Sequence, residues 1–101
     1  MKRLTHAAAA GAVLLAATPT AAQDADPQLL SISCAGCHGT GGHSPGAIPS
    51  IFGRSAASIA ESLRAFRDGK QTATVMDRIA KGYSDTEIDT VAREISTHWK
   101  E

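Results

Sequence analysis

Apolar residues recur at helical spacing in two stretches of this 101-residue chain. Ile59, Leu63 and Phe66 stand at i, i+4 and i+7, while Glu61, Arg64, Arg67 and Asp68 fall largely on the other faces, so an amphipathic helix is predicted there. Ser55 can accept from the free N–H groups at its start, the helix reaches Asp68, and Gly69 is its stop. Ile88, Val91, Ala92, Ile95 and Trp99 repeat in the same way behind Ser84-Asp85-Thr86-Glu87, the serine-to-glutamate spacing of a capping box. That second stripe should cross an N-terminal helix. Asp26 followed by Pro27 is an N-cap with proline at the first helical position, and a short helix from Pro27 towards Cys34 offers Leu29, Leu30 and Ile32 for packing. No stretch alternates apolar and polar with strand periodicity over five or more residues, and no internal repeat is present. The pattern predicts an all-α chain.

What lies between and before the helices differs in kind. From Gly39 to Ser50 there are four glycines together with Pro45 and Pro49, too many breakers for regular structure, so this is expected to be a loop. At the N-terminus, Lys2 and Arg3 precede an apolar run from Ala7 to Ala17, and Thr18 to Gln23 supplies the small residues that a signal peptidase accepts. Residues 1–22 therefore read as a signal peptide cleaved after Ala22, with residues 23–101 forming one domain in the periplasm. The apolar run is short of the roughly 20 residues that span a bilayer, so no transmembrane segment is expected after cleavage.

Composition narrows the possibilities further. Nine alanines sit in the first 22 residues and only four aromatic residues occur anywhere, so the 43% hydrophobic fraction overstates the core. Residues 23–101 carry eight cations and ten anions, which gives nothing to attract nucleic acid. A domain this small with so thin a core needs a staple.

The two cysteines indicate which staple. Cys34-Ala35-Gly36-Cys37-His38 is the C-x-x-C-H spacing of c-type haem attachment: two thiols add to the two vinyl groups of a porphyrin, and the next residue falls beneath the iron. An imidazole there binds through Nε2 while Nδ1–H donates to a backbone carbonyl that fixes the ring. Two other readings compete. A thioredoxin-like pair needs a βαβ context that is missing, and a zinc site needs four ligands, for which only His43 and His98 remain.

For the sixth iron ligand the natural choice is Met76, which apart from the initiator is the only methionine and lies in the connection between the second and last helices. A soft, neutral thioether stabilises Fe(II) and raises the potential, whereas a gap-filling core methionine is the plain alternative. His43 is too near His38 to reach the opposite face, and His98 reads as a solvated surface residue. The function classes are then an electron carrier with a closed His/Met iron, a haem enzyme or gas sensor with an open sixth site, and a structural zinc or disulfide module. The connection around Met76 holds no histidine to act as a distal base, and the chain is too small to enclose a channel, which favours the carrier over an enzyme.

The order of haem motif, Gly/Pro loop, helix, methionine connection and terminal helix resembles a class I c-type cytochrome over residues 23–101. More narrowly, Cys34 to Gly39, Ala47 to Ile51, Phe66 to Gly69, and Thr74 to Asp85 resemble the haem domains of the cytochrome subunit of flavocytochrome c sulfide dehydrogenase. The resemblance implies a small class I cytochrome c fold, all-α, with three to five short helices wrapped around one covalently attached haem c. It implies His38 and Met76 as the axial ligands, and as redox partner a flavoprotein subunit that oxidises sulfide and passes electrons to the haem. An electron-accepting subunit of a molybdenum sulfite dehydrogenase, or a general soluble shuttle, is the alternative. This chain has one haem motif where the family's subunit often has two in tandem, the form of a free-standing relative.

Where the family has Gly-Pro after the motif, this chain has Ser44-Pro45-Gly46-Ala47, so the carbonyl of Pro45 is expected to receive the His38 proton. Tyr83 and Trp99 are expected either to donate to haem propionates or to pack against the ring, with packing the favoured reading. Charge is expected to be dipolar, with Arg64, Arg67, Lys70, Arg78 and Lys81 outweighing Asp68 and Asp77 around the Met76 connection, and anions dominating from Ser84 onwards.

Overall fold

The computed structural model describes residues 8–17 and 25–100. The elements in chain order are α1 (Pro27–His38), a 3₁₀ turn (Thr40–Gly42), α2 (Ala56–Arg67), α3 (Met76–Ala80) and α4 (Asp85–His98). There is no strand among the described residues, and no helix there is long and apolar enough to cross a membrane. The cleavage site expected after Ala22 lies outside the described residues.

The predicted caps form. Asp26 accepts from Gln28 N at 2.8 Å and from Leu29 N at 3.4 Å, with Pro27 opening α1. Ser55 Oγ accepts from Ser58 N at 3.1 Å at the start of α2. At α4 both halves of the capping box are made: Glu87 N donates to Ser84 Oγ at 3.2 Å and Ser84 N to Glu87 Oε2 at 2.8 Å. Gly69 leaves α2 at φ +71°, in the left-handed region that lets the chain turn away.

α4 is the central element. It packs against α1 on one side and α2 on the other, and α3 packs on α2. Ile59, Ala60, Ile88, Val91, Ala92 and Ile95 form the buried core, with Leu30, Cys34, Ile51, Leu63, Tyr83 and Trp99 packed around it. Each fully buried isoleucine contributes about 2 kcal/mol of apolar transfer, so a core of this size leaves room for a stapling cofactor to matter. Tyr83 and Trp99 pack against this helical core.

Three expectations are corrected. α1 does not stop near Cys34 but continues through the whole motif to His38, because Gly36 is tolerated inside a helix and it is Gly39, at φ +88°, that ends it. Of the three apolar residues offered by α1 only Leu30 packs, while Leu29 and Ile32 are 70% and 59% exposed. Ser31, Cys34 and His38, at i, i+3 and i+7, share the inward face, which turns Leu29, Ile32 and Gly36 outward. Buried Ser31 satisfies its hydroxyl by donating to Gln28 O at 3.2 Å.

The third correction concerns charge. Arg64 and Arg67 are held by the very anions they were expected to oppose: Arg64 pairs with Asp85 and Asp89, and Arg67 with Asp68 and Asp85. Asp85 and Asp89 in the first turns of α4 are thereby paired, which leaves Lys70, Arg78 and Lys81 as the cations of the basic stretch with no ion pair among the described contacts.

Hydrogen bonds from Arg67 and then Arg64 hold the Asp85 carboxyl below the usual carboxylate range. A carboxyl depressed in the folded state adds stability at every pH above its unfolded value of about 4, and that stability is lost as pH falls through the folded value. Denaturant midpoints between about pH 5 and 2 should therefore fall less steeply for Asp85→Asn than for the parent chain. Parallel profiles would show that the pairing carries no stability. Asp85 is largely exposed, so the effect is small.

Candidate functional site

α1 presents Cys34, Cys37 and His38 from its last turn and a half. Cysteines at i and i+3 project from neighbouring positions on one side of the helix. Both thiols are free, Cys34 half-buried against the core and Cys37 exposed. Burial pushes the Cys34 thiol up, so its surroundings favour an uncharged sulfur, which a thioether is.

His38 is oriented from behind. Its Nδ1 lies 2.5 Å from the carbonyl oxygen of Pro49. A carbonyl only accepts, so Nδ1 carries the proton and Nε2 keeps its lone pair for a metal. The expected acceptor, Pro45, is thus replaced by Pro49. The reason is the closure of the loop. Ile51 N and Phe52 N both donate to Gly42 O, at 2.9 and 3.4 Å, and Ser44 N donates to Ser50 Oγ at 2.9 Å. With its ends joined, the loop carries Pro45 along its outer limb and brings Pro49 back to α1.

Gly42 is buried at φ +81°, and a Cβ there would lie 2.8 Å from Phe52 N, so only glycine lets the loop close this tightly. His43, expected not to be a ligand, is exposed and stacked on Phe52 with ring centroids 3.8 Å apart. His98 is an exposed residue 3.7 Å from Glu94, as a solvated surface histidine would be. The role of Pro49 escaped the residue-by-residue reading, although Ala47 to Ile51 was among the stretches that carried the resemblance.

Met76 is the first residue of α3 rather than part of an irregular connection, and it is half-buried. No Cα of α1 comes within 8 Å of one in α3, so the elements bearing His38 and Met76 stand apart. Around both, large apolar side chains face solvent: Val75 and Ile79 beside Met76 are 51% and 41% exposed, and Ile48 beside Pro49 is 43% exposed. Exposed apolar side chains flanking a histidine nitrogen and a thioether, together with two free thiols, fit a porphyrin better than a bare ion. No group of three or more His, Cys, Asp or Glu among the described residues is placed to hold a metal. A hollow of about 680 Å³ elsewhere, between α2 and α4, is lined by Ala56, Ala60, Arg64 and Ala92 and contains no residue of the motif.

Known proteins share this arrangement of sequence. A family model described as cytochrome c oxidase, cbb3-type, subunit III matches residues 21–93. The chain is 52% identical over 65 residues to the cytochrome subunit of sulfide dehydrogenase of Chlorobaculum tepidum, a match that covers 64% of this chain and 59% of that one. It is 36% identical over 69 residues to cytochrome c-554(548) of Halomonas halodenitrificans, covering 64% of this chain and 83% of that protein. The chain spans less than two thirds of the sulfide dehydrogenase subunit. With a helical fold, the C-x-x-C-H motif in α1 and these matches, the chain belongs to the cytochrome c family, that of the cbb3-type subunit III model.

Proposed function

We propose that this chain is a periplasmic monohaem c-type cytochrome that accepts single electrons from a sulfur-compound dehydrogenase, a flavoprotein sulfide dehydrogenase being the partner that its relative's name supports. Residues 1–22 serve as the export signal, and residues 23–101 form the haem domain. Cys34 and Cys37 would hold the haem through two thioethers, and His38 and Met76 would serve as its iron ligands. The haem supplies a one-electron Fe(III)/Fe(II) couple. The chain's own residues decide how that couple is used.

The observation that carries the reading is the His38–Pro49 hydrogen bond. It holds the imidazole of a C-x-x-C-H motif in the tautomer that leaves Nε2 available, which a structural histidine would not require. With the Met76 sulfur as its sixth ligand the iron would be closed to substrate and would exchange electrons by outer-sphere transfer, as expected of an electron carrier rather than an enzyme. The exposed side chains of Val75, Ile79 and Ile48 would become buried against such a ring and keep water from it.

Acid-acetone extraction tests the attachment. The haem should stay with the denatured polypeptide at one per chain, and its pyridine spectrum should be that of a porphyrin with both vinyls saturated. Haem released into the acetone would refute the two thioethers. Stoichiometric reduction of the ferric protein by sulfide and a flavoprotein sulfide dehydrogenase tests the partner, and reduction by sulfite and a molybdenum enzyme alone would assign it elsewhere.

A further inference from the structure

The segment that carries Met76 leaves α2 at Asp68 and returns to α4 at Asp85, and its two ends are tied by ionic contacts. Arg67, the last residue of α2, places Nε 3.1 Å from Asp68 Oδ1 and Nη2 2.9 Å from Asp85 Oδ1, so one guanidinium touches both ends. The same Asp85 oxygen accepts from Arg64 Nε at 3.3 Å, while Arg64 Nη2 reaches Asp85 O at 3.4 Å and Asp89 Oδ1 at 2.8 Å. Both arginines are half-buried and each serves at least two acceptors. Linked pairs of this kind avoid part of the side-chain entropy that makes a lone surface pair nearly worthless.

We propose that Arg67, with Arg64 and Asp85, is a positioning group that keeps the Met76 sulfur at the haem iron by clamping the neck of the segment carrying it. The proposal rests on the reading of Met76 as sixth ligand. α3 has little of its own to hold it: five residues long, with no side-chain cap and with Ala80 as its one buried residue. A helix that short does not persist by itself, and its placement depends on packing against α2 and on where the segment's ends are fixed. Backbone bonds hold each end to its own helix, Lys70 N and Gln71 N to Ala65 O at 2.8 and 3.2 Å and Ile88 N to Ser84 O at 2.9 Å, but none of those described joins one end of the segment to the other. Across the neck the described side-chain contacts are those of the two arginines. Releasing them lengthens the free loop, which raises the entropy lost whenever Met76 returns to the iron. A neutral thioether has no charge attraction to Fe(III) to offset that loss, so the ferric form is the sensitive one.

Arg67→Met and Asp85→Asn in the holoprotein test this, with displacement of the sixth ligand by added imidazole followed through the far-red sulfur-to-Fe(III) band. Displacement should need about threefold to tenfold less imidazole in each variant, the range expected for removing part of a partly buried ionic network. Amide exchange of residues 69–84 should quicken by a similar factor while the amides of Ile88 to Ile95 keep their protection. In the double variant the effects should fall short of additive, because both substitutions remove the Arg67–Asp85 contact. Unchanged imidazole displacement, additive effects, or faster exchange spread equally over α4 would overturn the proposal. The ligand reading fails separately: a far-red band surviving in Met76→Ala removes Met76 from the iron, whereas loss of that band with unaltered displacement in the neck variants overturns the clamp alone.

Discussion

Replacing Gly39 by alanine should cost about 3 kcal/mol or more, a large part of the stability of a domain this size. Gly39 ends α1 at φ +88° and ψ 159°, a region that side chains other than hydrogen essentially never enter. A Cβ built there would lie 1.8 Å from His43 O and 2.4 Å from His43 C, and these are backbone atoms with no rotamer to yield. Relief requires moving the turn from Thr40 to Ser44. That turn is tied through Gly42 O to Ile51 N, so the Pro49 carbonyl moves as well and the His38 ring loses its partner.

Gly53→Ala is the matched control. It has φ +69° with no atom within 4 Å of the added Cβ, so it should show only the roughly 1–2 kcal/mol cost of the left-handed backbone. Denaturant midpoints of the two holoproteins settle the matter. Equal losses would mean that backbone strain, and not the clash with His43, is what Gly39 avoids.

Met76→Ala should convert a closed haem into one that binds external ligands. Without the thioether, Fe(III) takes water or cyanide and Fe(II) takes carbon monoxide, and the far-red band of the oxidised protein disappears. Because a thioether favours the reduced iron, the midpoint potential should fall by an amount on the order of 100 mV. Spectroelectrochemistry together with cyanide titration reads both effects. Met76 lies outside the buried core, so the fold should survive the loss of this one half-buried side chain. If the variant keeps its potential and refuses cyanide, another residue is the sixth ligand. His43, held against Phe52, is a poor candidate for that part.

Much of this was legible in the sequence because it depends on neighbours along the chain. Caps at Asp26, Ser55 and Ser84 act over two or three residues, so their side chains find the same N–H groups in any context that permits a helix. The stripe Ile88, Val91, Ala92, Ile95 is buried because α4 has a single apolar face and must turn it inward. The spacing of Cys34, Cys37 and His38 is likewise a local quantity, and the motif was readable before any fold was known.

Other features needed contacts between distant parts. α3 was not foreseen, since five residues with no side-chain cap form a helix only when α2 supplies a surface for them. The rotation of α1 could not be taken from its apolar residues, because turning Cys34 and His38 inward forces Leu29 and Ile32 outward even though they are the more apolar choice. Charges from Arg64 to Arg67 looked like a basic surface along the chain and prove to be partners of Asp85 and Asp89 once α2 lies against α4.

By itself the sequence determined the helix boundaries set by capping, the apolar face of α4, and the thiols and imidazole of the C-x-x-C-H motif, since each is governed by residues within a few positions of one another. Only the tertiary structure decided that Pro49 and not Pro45 receives the His38 proton. A prolyl carbonyl is equally available at either position, and the choice falls to the loop closure at Gly42, which fixes the one that returns to α1.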